Sequence, residues 1–216
     1  SSELSGNMID LCPVGALNNK PYRYKARTWD LSQYEAISPH DCIGSNIYYH
    51  TYNNKIIRAV PMENSNINQT WISDRDRFGY EGIYSNDRVL KPMIRENGKL
   101  VECEIQTVVE SINKNIHSTI KNKGTKEIGC LITPQSTSEE LYLFQKLFKG
   151  LDINNIDHRT NECDFGYQDN FPIMPSLGCD LKDIDNYNNI ILVVVNIKSE
   201  FPVLSIRLNA ATKIKT

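Results

Sequence analysis

Residues 128–151, IGCLITPQSTSEELYLFQKLFKGL, decide the fold class of the carboxyl half of the chain. Ile128–Thr133 is a short apolar run, which predicts a buried strand. Ser136 and Thr137 each precede a glutamate by three residues, a capping-box pattern that predicts a helix beginning near Ser138. The apolar side chains of that helix recur at helical spacing and are expected to face a sheet: Leu141, Phe144, Leu147 and Phe148.

Apolar periodicity extends this pattern in both directions along the chain. The spacing of apolar residues from Ile105 to Ile116 predicts an amphipathic helix that stops at Gly124. Ile190–Val195 is the most apolar run and predicts a strand parallel to Ile128–Thr133 in the same sheet, with a helix following over Pro202–Ala211. Strand, helix and strand in this order predict a parallel α/β sheet.

The amino-terminal half instead has the pattern of short antiparallel strands. Asn46–Tyr52 and Lys55–Met62 are rich in Ile, Tyr and Val, and Asn53-Asn54 between them suits a tight hairpin turn. Asn97-Gly98 predicts a second hairpin. Two stretches lack periodicity and are predicted to be irregular, apart from one helical turn at Val14–Leu17: residues 1–36 and Asn161–Ser176.

The composition is that of a folded, water-soluble chain with little excess charge. Of the 216 residues, 40% are hydrophobic and 23% are charged, and the net charge is −2. This balance gives no electrostatic reason to expect nucleic acid or an anionic membrane as a partner. No apolar run approaches the ~20 residues needed to cross a bilayer, and no signal peptide is evident. Because the chain begins at Ser1, we expect its amino terminus to be cut or processed.

Neither the cysteines nor the histidines show, by themselves, the spacing of a metal site. The six cysteines include no C-x-x-C pair, and the four histidines include no H-x-x-x-H pair. Without an export signal, disulfides are not expected. Free or buried thiols are the expectation for Cys103, Cys130, Cys163 and Cys179, and these four and Cys42 are assigned no role.

The remaining cysteine, Cys12, is followed by Pro13. The remote fourth ligand of many cubane iron–sulfur sites is likewise a cysteine followed by proline. Cys12-Pro13 belongs to a longer block made of Ser2–Asn7, Ile9–Leu17, Lys20-Pro21 and Lys25–Arg27. This block resembles the iron–sulfur region of the large peripheral subunit of respiratory complex I, the NADH:quinone oxidoreductase. The resemblance implies that Cys12 ligates a [4Fe-4S] cluster in the intact subunit, with three partners in an upstream C-x-x-C-x-x-C run. The sequence lacks that run, so the isolated chain is expected to bind no cluster.

A second cluster site is expected to be lost. Molybdenum-containing oxidoreductases have a small domain with the pattern C-P-x-C-x-x-x-C. Residues 38–45, SPHDCIGS, resemble that run and line up with it. The resemblance implies ligand positions at Ser38, Asp41, Ser45 and Trp71, and none of these side chains offers the thiolate that a cubane cluster needs. We therefore predict four non-ligands, close together around a space that side chains fill.

Two further segments leave alternatives open. Asp74–Phe78, DRDRF, alternates acid and base, which fits either a catalytic set or a solvated or salt-bridged turn, while the resemblance implies a positioning role. His158 follows a predicted short strand and resembles the entrance to a molybdopterin site. A lone histidine equally fits a hydrogen-bonded structural role, because acid–base chemistry requires a partner.

These patterns predict an α+β / α/β chain with three parts. Residues 1–36 are expected to end an iron–sulfur, ferredoxin-like region, and residues 37–94 to form a small β-rich domain, the degenerate molybdenum-enzyme [4Fe-4S] domain. Residues 95–216 are expected to open a parallel α/β domain like that of molybdopterin oxidoreductases.

The resemblance implies a fragment of the subunit that carries electrons from NADH toward quinone, with this part mainly scaffold and inactive alone. The alternative is a cofactor-free structural or interaction module derived from a molybdenum oxidoreductase. The expected partners are the other subunits of the peripheral arm of complex I, without nucleic acid and without direct membrane insertion. The expected location is the cytoplasmic side of a bacterial plasma membrane or the matrix side of the mitochondrial inner membrane.

Overall fold

A computed structural model describes residues 2–159, 166, 168–170, 172 and 176–214, in two compact units. One unit joins Ser1–Asn86 with Pro172–Thr216, and the other is Asp87–Phe171. The helices are α1 (Asn7–Leu11), α2 (Asp74–Phe78), α3 (Ile105–Lys123), α4 (Ser138–Gly150), α5 (Ile197–Glu200) and α6 (Pro202–Ile214). The strands are β1 (Ser32–Ile37), β2 (Asn46–Tyr52), β3 (Lys55–Pro61), β4 (Met93–Glu96), β5 (Lys99–Glu102), β6 (Cys130–Leu131) and β7 (Ile156–Asp157).

The first unit is built on an antiparallel sheet in the order β1-β2-β3. Asn53 and Asn54 join β2 to β3 with positive φ angles of 49° and 58°, as a type I′ hairpin turn requires, so the predicted hairpin is confirmed. Ile47 on β2 and Ala59 on β3 are fully buried. The pairing register shifts between His50 and Thr51, whose partners on β3 are Arg58 and Ile56, so Ile57 is the extra residue of a bulge in β3.

The helices of the first unit pack on this sheet and on one another. α2 contacts β3, and α6 contacts both α5 and a 3₁₀ turn at Leu181–Asn186. Arg207 of α6 is 6% exposed and donates to the carbonyl oxygens of Ser65 and Ile67. Its side chain therefore joins α6 to the loop at residues 65–67.

The second unit begins with the predicted hairpin and continues as an α/β unit. Asn97 and Gly98 turn β4 into β5 with φ angles of 48° and 82°, and α3 ends at Gly124, whose φ is 93°. β6 pairs in parallel with β7, through Cys130↔Ile156 and Leu131↔Asp157, and α4 makes the connection between them. An antiparallel sheet followed by this α/β unit confirms the predicted fold class.

The capping pattern at the start of α4 is also confirmed. The Thr137 hydroxyl accepts from the backbone N–H of Glu140 at 3.2 Å, and the Glu140 carboxylate accepts from the backbone N–H of Thr137 at 2.9 Å. Each side chain thus satisfies a donor that has no partner within the helix.

The structure overturns the prediction that Ile190–Val195 is a parallel strand beside Ile128–Thr133. Within Ile128–Thr133, only Cys130–Leu131 forms a strand. No described strand includes residues 190–195 or pairs with them. Ile191 and Val193 are 85% and 73% exposed, and Val194 has a φ of 50°, which breaks an extended backbone. A buried strand needs backbone partners on its edges, and apolar composition alone does not provide them.

Two further predictions were wrong, one on the position of the first helix and one on the buried face of α4. Val14–Leu17 forms no helix, and the helix lies earlier, at Asn7–Leu11, in a segment predicted to be irregular. Leu147 of α4 does not face inward, because it is 59% exposed, whereas Leu141, Phe144 and Phe148 are half-buried. Among the described residues, the sheet of β6 and β7 has two strands of two residues each, which is too small to cover the whole apolar face of α4.

Two further expectations concern loops and membranes. The segment Asn161–Ser176, predicted to be a loop, lies largely outside the described residues. Among the described residues, no helix combines the length and apolar character that a bilayer crossing requires.

Candidate functional site

Cys12 lies directly after α1 and begins a loop whose backbone donors point at its sulfur. The N–H of Leu17 donates to Cys12 Sγ at 3.4 Å, and Cys12 is half-buried. The Leu17 N–H does most to lower the pKa of the thiol, and the N–H groups of Val14, Gly15 and Ala16 add to this against the opposing effect of burial. Hydrogen bonds that favour the charged form stabilise a thiolate, which is the form that binds metal.

This loop fits one ligand position of an iron–sulfur cluster and no more. A four-iron cubane is held by four thiolates. Within the part of the chain that the structure describes, no group of three or more His, Cys, Asp or Glu side chains is placed to hold a metal ion. Four other described cysteines are free thiols, at Cys42, Cys103, Cys130 and Cys179, while Cys163 lies outside the described residues.

Residues 3–11, directly before Cys12, form a segment held by α2 and by Ile72, two residues before that helix; we call it the ligand segment. Asp74 accepts from Ser5 Oγ at 2.6 Å and from the Gly6 backbone N–H at 2.7 Å. Asn7 exchanges two hydrogen bonds with the backbone of Ile72, at 2.8 and 3.1 Å. These contacts join parts of the chain more than 60 residues apart, at separations of 65, 68 and 69.

Asp74–Phe78, interpreted as a solvated or salt-bridged turn, is salt-bridged, but it is a helix rather than a turn and two of its charged side chains are buried. Ser73 and Asp76 form a capping box at its start, and Asp76 and Arg77 are 1% and 0% exposed. Arg77 forms a salt bridge with Asp10 of the ligand segment. The Ser73-x-x-Asp76 spacing is a capping signal that could have predicted the helix, but nothing local predicts its burial.

Two of the four predicted non-ligand positions are joined directly. The Ser38 backbone N–H donates to the Ser45 carbonyl at 2.8 Å, and the Ser38 hydroxyl donates to the Asp76 carboxylate. Asp41 lies within the same loop, and one of its oxygens accepts from the Ile43 N–H at 3.0 Å. These three residues offer hydroxyl and carboxylate oxygens and no thiolate. They therefore do not fit a cubane iron–sulfur cluster.

Trp71, the fourth position, is linked to this loop through Asn68. The Asn68 amide donates to the Trp71 carbonyl at 3.2 Å and accepts from the Asn46 N–H at 3.0 Å, next to Ser45. Asn68 is 1% exposed, so this bridge is internal. We call these four residues the degenerate site: Ser38, Asp41, Ser45 and Trp71.

The degenerate site retains polar atoms that the surrounding residues do not satisfy. Ser45 is fully buried, and neither its Oγ nor Asp41 Oδ2 has a hydrogen-bond partner among the described residues. Burial raises the pKa of the Asp41 carboxyl, the Ile43 N–H opposes this effect, and the nearby charge of Asp76 raises the pKa further. Polar groups so placed are typical of a site where small molecules such as water complete the hydrogen bonds.

A buried histidine on β2 was missed by the sequence interpretation. His50 is 9% exposed, its Nε2 lies 3.0 Å from Gln33 Oε1, and Arg58 Nε donates to its Nδ1 at 2.8 Å. Burial, with a smaller contribution from the Arg58 charge, lowers the pKa of His50 to about 4. The Arg58 guanidinium also stacks on the Tyr22 ring at 4.4 Å, and so connects the sheet with the segment that follows the cysteine loop.

His158 does follow a short strand, β7, but its surroundings do not fit a nucleotide-bearing cofactor. The His158 side chain is 55% exposed, and its Nδ1 lies 4.0 Å from Asp157 Oδ1. After the neighbouring strand β6, Pro134 has no N–H, and the Gln135 N–H donates to Thr133 Oγ1 at 3.3 Å. A phosphate needs free backbone donors at this turn, and these residues do not supply them.

Comparison with known families gives two adjoining matches. Residues 31–81 match the family described as NADH-ubiquinone oxidoreductase NDSU1/NuoG-like, 4Fe-4S domain. Residues 88–215 match the family described as molybdopterin oxidoreductase. The order of the two matches is the order of the antiparallel sheet and the α/β unit.

Curated relatives match over most of this chain. The chain is 34% identical to the G subunit of NADH-quinone oxidoreductase from Rickettsia felis, over 96% of this chain and 30% of that protein. It is 40% identical to the protein of the same name from Rickettsia conorii, over 76% of this chain and 23% of that protein. It is 34% identical to the NADH-ubiquinone oxidoreductase 75 kDa subunit of Reclinomonas americana, over 96% of this chain and 31% of that protein. The chain therefore spans less than a third of the length of these relatives.

Proposed function

Because this chain belongs to the molybdopterin oxidoreductase family, with G subunits and a 75 kDa subunit of NADH-quinone oxidoreductases as relatives, we propose that it is part of an electron-transfer subunit. In the intact subunit, Cys12 supplies one thiolate to a [4Fe-4S] cluster on the route from NADH toward quinone. A cluster bound there supplies one-electron transfer. The remaining residues of the chain act mainly as scaffold, and the chain by itself is inactive.

The single observation that carries this proposal is the environment of the Cys12 sulfur. A thiol that accepts backbone N–H groups and has a lowered pKa is prepared to bind metal as a thiolate. Such N–H···S contacts also tune the reduction potential of a cluster. The other three thiolates are expected in a C-x-x-C-x-x-C run upstream in the intact subunit.

The proposed domain organisation keeps the three parts expected from the sequence. Residues 1–36 contribute Cys12, residues 37–94 form the degenerate small domain, and residues 95–216 begin the pterin-type domain. The family matches at 31–81 and 88–215 support a division between the second and third parts. The partners are other subunits of the peripheral arm, on the cytoplasmic face of a bacterial plasma membrane or the matrix face of the mitochondrial inner membrane.

A second candidate is a cofactor-free structural or interaction module, and the donor set of the degenerate site favours it. Ser38, Asp41, Ser45 and Trp71 offer no thiolate, and the turn at Pro134-Gln135 offers no phosphate cradle. The two candidates differ in whether Cys12 takes part in electron transfer.

Substitution of Cys12 in the intact subunit of the assembled complex separates the candidates. Cys12→Ala is expected to remove the electron paramagnetic resonance (EPR) signal of one cluster and to slow quinone reduction. Cys42→Ala is the matched control, because Cys42 is exposed and belongs to no proposed ligand set. Retention of every cluster signal and of full quinone reduction in Cys12→Ala would establish the cofactor-free module instead.

A further inference from the structure

We propose that Arg77 is a positioning residue for Cys12: its buried guanidinium binds Asp10 and so fixes the ligand segment two residues before the thiol. This inference rests on the proposed role of Cys12 as a ligand. In this proposal α2 supplies no ligand, but through Arg77 it fixes the position of the residues from which the cysteine loop starts.

The Arg77 guanidinium reaches both oxygens of the Asp10 carboxylate. Its Nη1 donates to Asp10 Oδ1 at 3.3 Å, and its Nη2 donates to Asp10 Oδ2. The Arg77 side chain is 1% exposed and the Asp10 side chain is 32% exposed. A forked contact of this kind fixes direction as well as distance, which a single point charge does not.

The ligand segment depends on such contacts because α1 cannot be stable alone. α1 has five residues and no side-chain cap at its start, and isolated helices shorter than about 12 residues are marginal in water. Asp74 binds the start of α1 and Asn7 binds Ile72, but Arg77 makes the contact nearest to the thiol. Without it, the backbone between Asn7 and Cys12 loses its last described side-chain restraint.

Gly6 shows how closely α1 approaches this helix. A Cβ atom at Gly6 would lie 2.7 Å from Asp74 Oδ1 and 2.8 Å from both Cδ and Nε of Arg77. The backbone of the ligand segment is therefore in direct contact with the Arg77 side chain, and the position accepts only glycine without displacement. Arg77 therefore contacts this segment at Gly6, just before α1, and at Asp10 within the helix.

α2 is also bound to the degenerate site. Asp76, next to Arg77, accepts from the Ser38 hydroxyl of the degenerate site and from Ser73 Oγ at 2.9 Å. Adjacent residues of one short helix thus bind the degenerate site and the ligand segment. The proposal accordingly gives the degenerate site a present role, which is to anchor the helix that carries Arg77.

The test uses the intact subunit in the assembled complex and follows cluster retention. Arg77→Gln and Asp10→Asn are expected to weaken the same EPR signal that Cys12→Ala removes. The loss of that signal during incubation with an iron chelator is expected to accelerate about tenfold, the usual effect of removing a group that orients a metal ligand. Arg77→Lys keeps the charge without the fork and is expected to fall between wild type and Arg77→Gln.

Arg75→Gln is the matched control, because Arg75 lies on the same helix, is exposed and donates to the Glu200 carbonyl at 2.8 Å. It is expected to leave cluster retention unchanged. If the Arg77→Gln subunit does not accumulate in the complex, the cluster retention of Asp10→Asn tests the inference instead. Asp10 is partly exposed, so its substitution disturbs folding less than that of the buried Arg77.

Three outcomes would overturn the inference. Wild-type chelator sensitivity in both Arg77→Gln and Asp10→Asn, with Cys12→Ala still lacking its cluster, would reject the positioning role and leave the ligand role intact. A uniform weakening of all cluster signals would assign Arg77 to general folding. Retention of every signal in Cys12→Ala rejects the ligand role itself, and so the two failures are distinguishable.

Discussion

The hydroxyl of Ser38 donates a hydrogen bond to the carboxylate of Asp76, 38 residues further along the chain. The other oxygen of that carboxylate accepts from the Ser73 N–H at 3.2 Å and from Ser73 Oγ at 2.9 Å. One acid therefore closes the capping box of α2 and binds a residue at a position where the resemblance implies a cluster ligand.

The Asp76 carboxylate is expected to contribute strongly to stability. Asp76→Ala removes the capping box and leaves the buried Ser38 and Ser73 donors without an acceptor, at a cost of roughly 2–4 kcal/mol in the free energy of unfolding. Ser38→Ala removes one donor and should cost about 1 kcal/mol. Urea unfolding of the three proteins measures both values. Equal effects of the two substitutions would contradict the central position of Asp76.

His50 is expected to make stability fall as the pH falls from about 6.5 to about 4. Its pKa is about 4 in the folded chain and 6.5 in the unfolded chain, so the unfolded chain binds more protons in this interval. The full contribution is present above pH 6.5, and the slope is at most about 1.4 kcal/mol per pH unit. Unfolding free energies measured across the interval should show this slope in wild type and lack it in His50→Gln.

The matched control for His50 is His117→Gln, because His117 is exposed on α3. Carboxylates titrate in all three proteins, so the difference between the variants isolates the buried imidazole. An unchanged pH dependence in His50→Gln would show that folding does not lower the pKa of this histidine.

Thr137 is expected to stabilise α4, while its neighbour Ser136 is not. Thr137→Ala removes the hydroxyl that caps the helix and should lower stability by about 1 kcal/mol. Ser136→Ala is the internal control, because the capping box of α4 is closed by Thr137 and Glu140 alone. Thermal unfolding or amide exchange in α4 measures the difference. A larger effect at Ser136 would mean that the helix begins one residue earlier.

The exposed apolar run Ile190–Val195 is expected to promote association of the isolated chain. Contiguous exposed aliphatic side chains favour self-association and dye binding. Ile191→Lys combined with Val193→Lys should lower both the fluorescence of a bound hydrophobic dye and the scattering at high protein concentration. Leu177→Lys, at a residue that is 63% exposed outside this run, is the control and should change little.

The isolated chain is expected to bind neither NADH nor a pterin nucleotide. The turn after β6 contains Pro134, which has no N–H, and Gln135, whose N–H is directed at Thr133 Oγ1. Calorimetric titration with NADH should give only heats of dilution. A saturable signal would show that phosphate binds elsewhere in the chain.

Much of the local structure was predictable because its causes lie within a few residues. The Asn53-Asn54 and Asn97-Gly98 turns require positive φ angles that asparagine and glycine adopt readily, and both hairpins form as predicted. The apolar spacing after Ile105 and the capping pattern before α4 likewise act over one or two helical turns. Ile190–Val195 failed because a strand depends on partners that its own composition does not specify.

For the candidate site, the sequence by itself determined the cysteine loop: Cys12-Pro13 and the block around it carry the family resemblance, and the donors to the sulfur come from the next five residues. Only the tertiary structure decided that Asp76 and Arg77 are buried rather than solvated. The free energy of burying a charged side chain depends on whether an opposite charge or a donor meets it, and the partners are Ser38 and Asp10, 38 and 67 residues away. Sequence spacing within α2 contains no information about those partners until the chain has folded.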